Sequence, residues 1–99
     1  MLFNQDTRAR ACTLVSGSSG NSMFIASGDS QILIDAGLSC KRLEQAMAAR
    51  DIWPEALDGI FVTHEHSDHI SGLSVLARRY HIPVYMTKGT WQACSTKLN

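Results

Sequence analysis

The chain has 99 residues, 44% of them apolar, with nine basic and nine acidic side chains and a formal net charge of zero. That length holds at most one domain with a modest core, and the apolar share excludes wholesale disorder. Electrical neutrality excludes the global basic footprint that nucleic-acid binding normally shows, so contact with a polyanion would have to be local.

Residues 1–10 are polar and irregular and read as a frayed lead-in. Residues 11–15 predict a first strand. The run Ser16-Gly17-Ser18-Ser19-Gly20-Asn21-Ser22 is a turn by composition. It is either a flexible hairpin or a loop whose backbone N–H groups approach phosphate; it matches neither Gly-x-Gly-x-x-Gly nor a P-loop. Residues 22–26 predict a second strand, and Ser27-Gly28-Asp29-Ser30 a tight turn into a third strand over 31–35. Asp35 ends that strand, followed by Ala36 and Gly37. Ser39 is a good N-cap for a helix over about 40–50, with Leu43, Ala46 and Met47 as its apolar stripe. Pro54 stops any helix from running through the next connection. Trp53 in that connection is either packed on the helix end or an exposed contact.

Residues 59–62 predict a buried strand, directly followed by Thr63-His64-Glu65-His66-Ser67-Asp68-His69. Ile70, Leu73, Leu76, Ala77 and Tyr80 then give a helix its apolar face. Residues 83–86 predict another short strand, and Thr87 caps a last helix through Trp91 and Ala93. The order is α/β: strands in one layer, helices covering it. Two basic groups, Lys41 with Arg42 and Arg78 and Arg79 with His81, read as solvated helix faces. Cys12, Cys40 and Cys94 are widely spaced with no Cys-x-x-Cys, so they make no disulfide scaffold or zinc ribbon and fit reduced thiols in a cytoplasm. No apolar run reaches membrane-spanning length, and residues 1–6 lack the basic and apolar segments of a signal peptide.

The chemistry concentrates in the loop after the buried strand. A solvated polar loop with incidental histidines would explain any one of them. Four imidazole or carboxylate donors in six positions, His64, His66, Asp68 and His69, favour a metal centre. Residues two apart in extended chain point the same way, so His64 and His66 can share one ion; Asp68 and His69, where the chain turns into the helix, can face a second. Two close ions are a general device for hydrolysis.

His-x-His-x-Asp-His after an apolar strand resembles the signature of the metallo-β-lactamase-fold hydrolases. Leu33-Ile34-Asp35-Ala36-Gly37 looks like that family's first motif, and the Ser16–Ser22 run with 61–69 and 72–80 is similar to the bacterial YycJ/WalJ group, described as metal-dependent DNA exonucleases. The resemblance covers roughly residues 12–93. It implies the amino-terminal half of an αββα sandwich, a mixed sheet with covering helices. It also implies two divalent ions, zinc or manganese, with His64 and His66 on the first and Asp68 and His69 on the second. Those four are the expected catalytic residues, with Asp68 also orienting the nucleophile. Asp35 is expected to orient a ligand histidine, and Ser18, Ser19 and Asn21 to line a DNA substrate.

The family pattern needs a further His for each ion and a bridging Asp. After His69 this chain offers only His81, and after Asp68 no Asp. The expectation is a partial domain over 1–99, weak or inactive by itself, with one sheet face open to dimerisation or aggregation. A hydrolase of small esters, thioesters or lactones, and a non-enzymatic fragment, are the alternatives.

Overall fold

A computed structural model of the chain describes residues 9–17 and 20–95. Five strands form one mixed sheet in the order β1-β2-β3-β4-β5. β1 (Ala9–Val15), β2 (Ser22–Ser27) and β3 (Ser30–Ile34) are an antiparallel meander; β4 (Gly59–Phe61) and β5 (Val84–Tyr85) add in parallel. The strand β1 begins two residues earlier than the alternation suggests, because Ala9 and Arg10 pair with Ser27 and Ala26.

The parallel connections carry helices. α1 (Cys40–Ala48) leads from β3 to β4, with a single 3₁₀ turn at Pro54–Ala56, where proline fits the first helical position. Ser39 caps α1, its Oγ accepting from Arg42 N at 3.3 Å. Between β4 and β5 the expected single helix is two: α2 (Ser67–Ile70) and α3 (Leu73–Tyr80). At the break Gly72 N donates to Ala36 O at 2.9 Å instead of to the preceding helical turn, and a Cβ on Gly72 would sit 2.0 Å from Leu38 O, so the chain passes too close there for any side chain. α3 ends on His81 in the left-handed conformation (φ 56°), a helix-stopping role for the one histidine outside the metal loop. α4 (Lys88–Cys94) starts at Thr87, whose Oγ1 accepts from Thr90 N at 3.1 Å.

The core lies between one sheet face and the helices. Phe24, Leu33, Ile60 and Val62 meet Leu43 and Met47 of α1 and Leu73 and Leu76 of α3, all buried. Cys94 is buried with them, Cys40 lies under Arg79, and Cys12 is only half-buried; all three are free thiols. Burial pushes the Cys40 thiol pKa up. Glu44 ties α1 to α3 by accepting from Arg79 Nη1 with both oxygens at 3.1 Å and from the Tyr80 hydroxyl, and the Tyr80 bond holds its carboxyl below the usual range. Trp53 is exposed (65%).

The other sheet face carries no helix among the described residues. Register aligns Thr13, Met23, Ile34, Phe61 and Tyr85 across all five strands, with Ile25 beside Ile32 in the adjacent row. Met23, Phe61 and Tyr85 are each about 40–50% exposed, and the Phe61 and Tyr85 rings stack at 4.8 Å. The carboxyl ends of β3 and β4 come out side by side, and this places Asp35 against the loop that starts at Thr63.

Candidate metal centre

Asp35 is the hub. It is buried (5% exposed) with a left-handed backbone (φ 66°), a conformation that Asp and Asn adopt more readily than other side chains. Its backbone N–H donates to Phe61 O at 2.8 Å, locking the end of β3 to the end of β4. Its carbonyl accepts from the buried Ser22 Oγ at 2.8 Å. Its carboxylate accepts three hydrogen bonds: Thr63 N to Oδ1 at 2.7 Å, and Thr63 Oγ1 and His69 Nδ1 to Oδ2 at 2.6 and 2.7 Å.

Those bonds fix two imidazole tautomers. A hydroxyl has one proton, and Thr63 gives it to Asp35, so its Oγ1, 2.9 Å from His64 Nδ1, can only accept there. The proton of His64 is therefore on Nδ1. His69 likewise donates from Nδ1 to Asp35. In the neutral rings the lone pair then lies on Nε2, the nitrogen left to face a metal.

His69 is 17% exposed, and its Nε2 stands 3.6 Å from Asp68 Oδ2. Two ligand atoms on one tetrahedral ion, each about 2.1 Å from it, lie about 3.4 Å apart, so this pair is close to chelating distance as it stands. The His64 ring approaches that of His69 at 4.7 Å and that of His66 at 6.3 Å. His66 is the outlying member: its side chain is 67% exposed and turned toward Glu65 Oε2 at 3.4 Å. Asp35, His64 and His69 each offer a donor atom within 4.8 Å of the others. Asp35, however, already accepts from His69 itself, so it stands behind the ligand edge rather than on it. The donor set facing solvent is nitrogen and carboxylate oxygen, which fits zinc and manganese chemically.

Asn21, near the end of the Ser16–Ser22 run, reaches the loop from the side. Ser18 and Ser19 lie outside the described residues. Asn21 lies 47 residues from Asp68 in sequence, yet its Nδ2 donates to Asp68 Oδ2 at 3.0 Å and Asp68 O at 3.2 Å, as well as to Gly17 O at 3.0 Å. Gly37 N donates to Asn21 O at 3.0 Å, Ser71 Oγ to Gly37 O at 2.6 Å, and Ala36 N to His69 O at 2.8 Å. Three segments, 20–22, 35–37 and 68–71, are thus laced together. Sequence reasoning placed no role on Thr63, Ser71 or Gly37. Adjacency to His64 was the one available signal for Thr63; for the other two, nothing local announces the contact.

A cavity of ≈ 180 Å³ beside His69 is lined by Val15, Ser16, Asn21, Met23, Ile34 and Asp35, among others. A larger cavity, ≈ 610 Å³, lies elsewhere, between α3, β5 and α4, with Leu73, Ala77, Tyr85, Met86 and Trp91 on its walls. Chemistry, not volume, marks the site.

Comparison with known proteins agrees with the geometry. The metallo-beta-lactamase superfamily model matches residues 15–97. The exodeoxyribonuclease WalJ of Streptococcus pneumoniae is 50% identical over 80 residues, 81% of this chain and 30% of that protein. The exodeoxyribonuclease YycJ of Bacillus anthracis is 48% identical over the same shares. A subclass B3 metallo-beta-lactamase from a soil metagenome superposes at a TM-score of 0.69 with 28% identity, over 83% of this chain and 31% of that one. A B3 metallo-beta-lactamase with an active-site glutamic acid reaches 0.72 with 22% identity, over 84% and 32%. The chain therefore spans about a third of the length of the proteins it matches.

Proposed function

The chain belongs to the metallo-beta-lactamase superfamily, and on that premise we propose that it supplies the amino-terminal part of a dinuclear metal-dependent DNA exonuclease. The observation that carries the metal reading is the facing pair His69 Nε2 and Asp68 Oδ2, 3.6 Å apart, with the opposite ring nitrogen held by Asp35. The DNA reading is supported by identity near 50% to two proteins named exodeoxyribonucleases.

In this proposal His64 and His66 hold one ion, and Asp68 and His69 the other. The chemistry that bound zinc or manganese supplies is activation of water near neutral pH and neutralisation of charge developing on the scissile phosphate. The chain's own residues set up that chemistry. Asp35 and Thr63 keep both Nε2 atoms unprotonated, and Asp68 orients the attacking water. His66, exposed and free of the core, has its ring 6.3 Å from that of His64. Ser18, Ser19 and the backbone of the glycine turn remain the proposed contacts to the DNA strand. The widely spaced cysteines, free of any Cys-x-x-Cys, and the proposed DNA substrate support a cytoplasmic setting for this chemistry. No helix among the described residues is long and apolar enough to cross a membrane.

The test is ion uptake by calorimetry on the purified chain together with release of nucleotides from end-labelled double-stranded DNA. Expected are ion binding that His64→Ala with His69→Ala removes, and weak DNA degradation that a chelator stops. Turnover of a thioester or lactone with DNA untouched would assign the small-molecule hydrolase instead. A folded chain with no metal-dependent turnover of either kind would assign a non-enzymatic role.

The open sheet face has its own consequence. Phe61 and Tyr85 sit in an apolar row with Met23 and Ile34 that crosses four adjacent strands, too continuous to stay in water. The 99-residue chain is expected to self-associate at micromolar concentration, read by light scattering after size exclusion, and Phe61→Lys to shift it toward the monomer. A monomeric parent chain would refute the homodimer.

A further inference from the structure

The Ser16–Ser22 turn offers an amide to the metal loop. Asn21 Nδ2 meets Asp68 twice, at Oδ2 (3.0 Å) and at the backbone O (3.2 Å), and meets Gly17 O at 3.0 Å. Gly17 N returns a bond to Asn21 Oδ1 at 3.4 Å, and Gly37 N donates to Asn21 O at 3.0 Å. The asparagine is thereby held from its backbone and from both ends of its amide. The Asp68 side chain is about one-third exposed, and His69 Nε2 faces its Oδ2 across 3.6 Å.

We propose that Asn21 is a positioning residue for Asp68, fixing the carboxylate so that Oδ2 keeps one lone pair on the amide and turns the other toward His69 Nε2. This rests on the reading of Asp68 and His69 as ligands of one ion, and it moves Asn21 from the substrate path to the support of the metal centre. The residue type follows from charge. A lysine or arginine reaching the same oxygen would repel the incoming cation. A carboxylate would repel Asp68. A hydroxyl has one proton and cannot reach both the side-chain and backbone oxygens of Asp68. A neutral amide with two N–H donors does what is needed without altering the charge of the site. Position 20 is glycine for a matching reason: at Gly20 (φ 153°) a Cβ would meet Leu38 Cδ2 at 2.8 Å and Gly37 O at 2.9 Å, so the chain at this point can lie close on 37–38 and bring Asn21 to Asp68.

The test is a double-mutant cycle in Co²⁺ affinity, followed by the cobalt absorption bands, on the whole chain. Partners standing behind a ligand change metal affinity about 10–100-fold, and Asn21→Ala should weaken one Co²⁺ by that factor and leave the other unchanged. In the Asp68→Ala background, Asn21→Ala should have no further effect. Unchanged affinity in Asn21→Ala, or a loss that persists undiminished when Asp68 is absent, would overturn the proposal, since a purely structural turn residue would act through either background. An Asp68→Ala chain that binds Co²⁺ as well as the parent would overturn the ligand assignment beneath it, which is a separate outcome. Should Asn21→Ala fail to fold, the side-chain amide resonances of Asn21 in the parent chain are followed during a Zn²⁺ titration. They should shift and saturate with the ion at Asp68, and an amide indifferent to zinc would refute the role.

Discussion

Asp35→Asn is expected to leave a folded chain whose metal affinity has fallen toward the upper end of the roughly 10–100-fold range seen when a partner behind a ligand is changed. The reason is directional. Asparagine keeps the volume and tolerates the left-handed backbone at φ 66°. Its oxygen still accepts from Thr63 N, as Oδ1 does at 2.7 Å. Its NH₂ then stands where Oδ2 stood, and it donates where Oδ2 accepted. His69 Nδ1 must become the acceptor, which moves the proton to Nε2. The Thr63 hydroxyl must also reverse, turning its proton toward His64 Nδ1 and forcing that imidazole into the same tautomer. One substitution therefore protonates both ligand nitrogens. Ring ¹⁵N shifts read this directly: Nε2 of His64 and His69 should be unprotonated in the parent chain and protonated in the variant. Unchanged tautomers would sink the account. Asp35→Ala tests something different. It leaves three donors facing a buried void, at roughly 1–3 kcal/mol for each one left unsatisfied, against a total stability of only about 5–15 kcal/mol for a domain. That variant is expected to be largely unfolded at room temperature by circular dichroism.

Gly37→Ala is the second large effect. A Cβ at this position would lie 1.9 Å from Asp68 O, 2.6 Å from Asp68 C and 2.6 Å from Asn21 N. All three are backbone atoms, so no rotamer change relieves the overlap; the metal loop and the turn must separate. Separation breaks the bond from Gly37 N to Asn21 O and strains those from Ser71 Oγ to Gly37 O and from Asn21 to Asp68. Overpacking typically costs about 1–3 kcal/mol, and an all-backbone clash belongs at the top of that range. For a domain of this size about 3 kcal/mol is a drop of roughly 10–25 °C in melting temperature. Metal binding at Asp68 should fail together with it. Gly89→Ala is the control: nothing lies within 4 Å of its Cβ, and it sits inside α4. Alanine there should stabilise by up to about 1 kcal/mol through helix propensity. A Gly37→Ala chain as stable as the parent would mean that the turn and the loop are not in contact in solution.

Much of the architecture was legible without coordinates, because local chemistry dictates it. The Ser39 and Thr87 caps form as their side chains suggest, each accepting a backbone N–H three residues on. The apolar stripe of Leu43 and Met47, and that of Leu73 and Leu76, fall on the buried faces of α1 and α3. The cluster His64, His66, Asp68 and His69 stood out because four donors in six positions exceed what a solvated loop needs. Where reading along the chain fell short, the cause was a neighbour distant in sequence. The helix after the 63–69 loop splits at Gly72, whose N–H donates to Ala36 O, and no property of residues 67–80 reveals that contact. The contact from Asn21 to Asp68 was likewise not legible in the 16–22 run, whose composition carries no record of what lies against it.

The division between the two has a physical basis. Composition, periodicity and motif spacing act over a few residues, through caps, turns, alternation and ligand type, so the α/β order, the caps of α1 and α4 and the candidate donors follow from the sequence alone. Which nitrogen of each histidine is open, which residue holds Asp68, and which member of the donor set stands apart depend on hydrogen bonds spanning between 28 and 47 residues, such as Thr63 to Asp35 and Asn21 to Asp68. Those bonds exist only once the parallel pairing of β3 with β4 has brought Asp35 beside Thr63, and so the tertiary structure alone decided them.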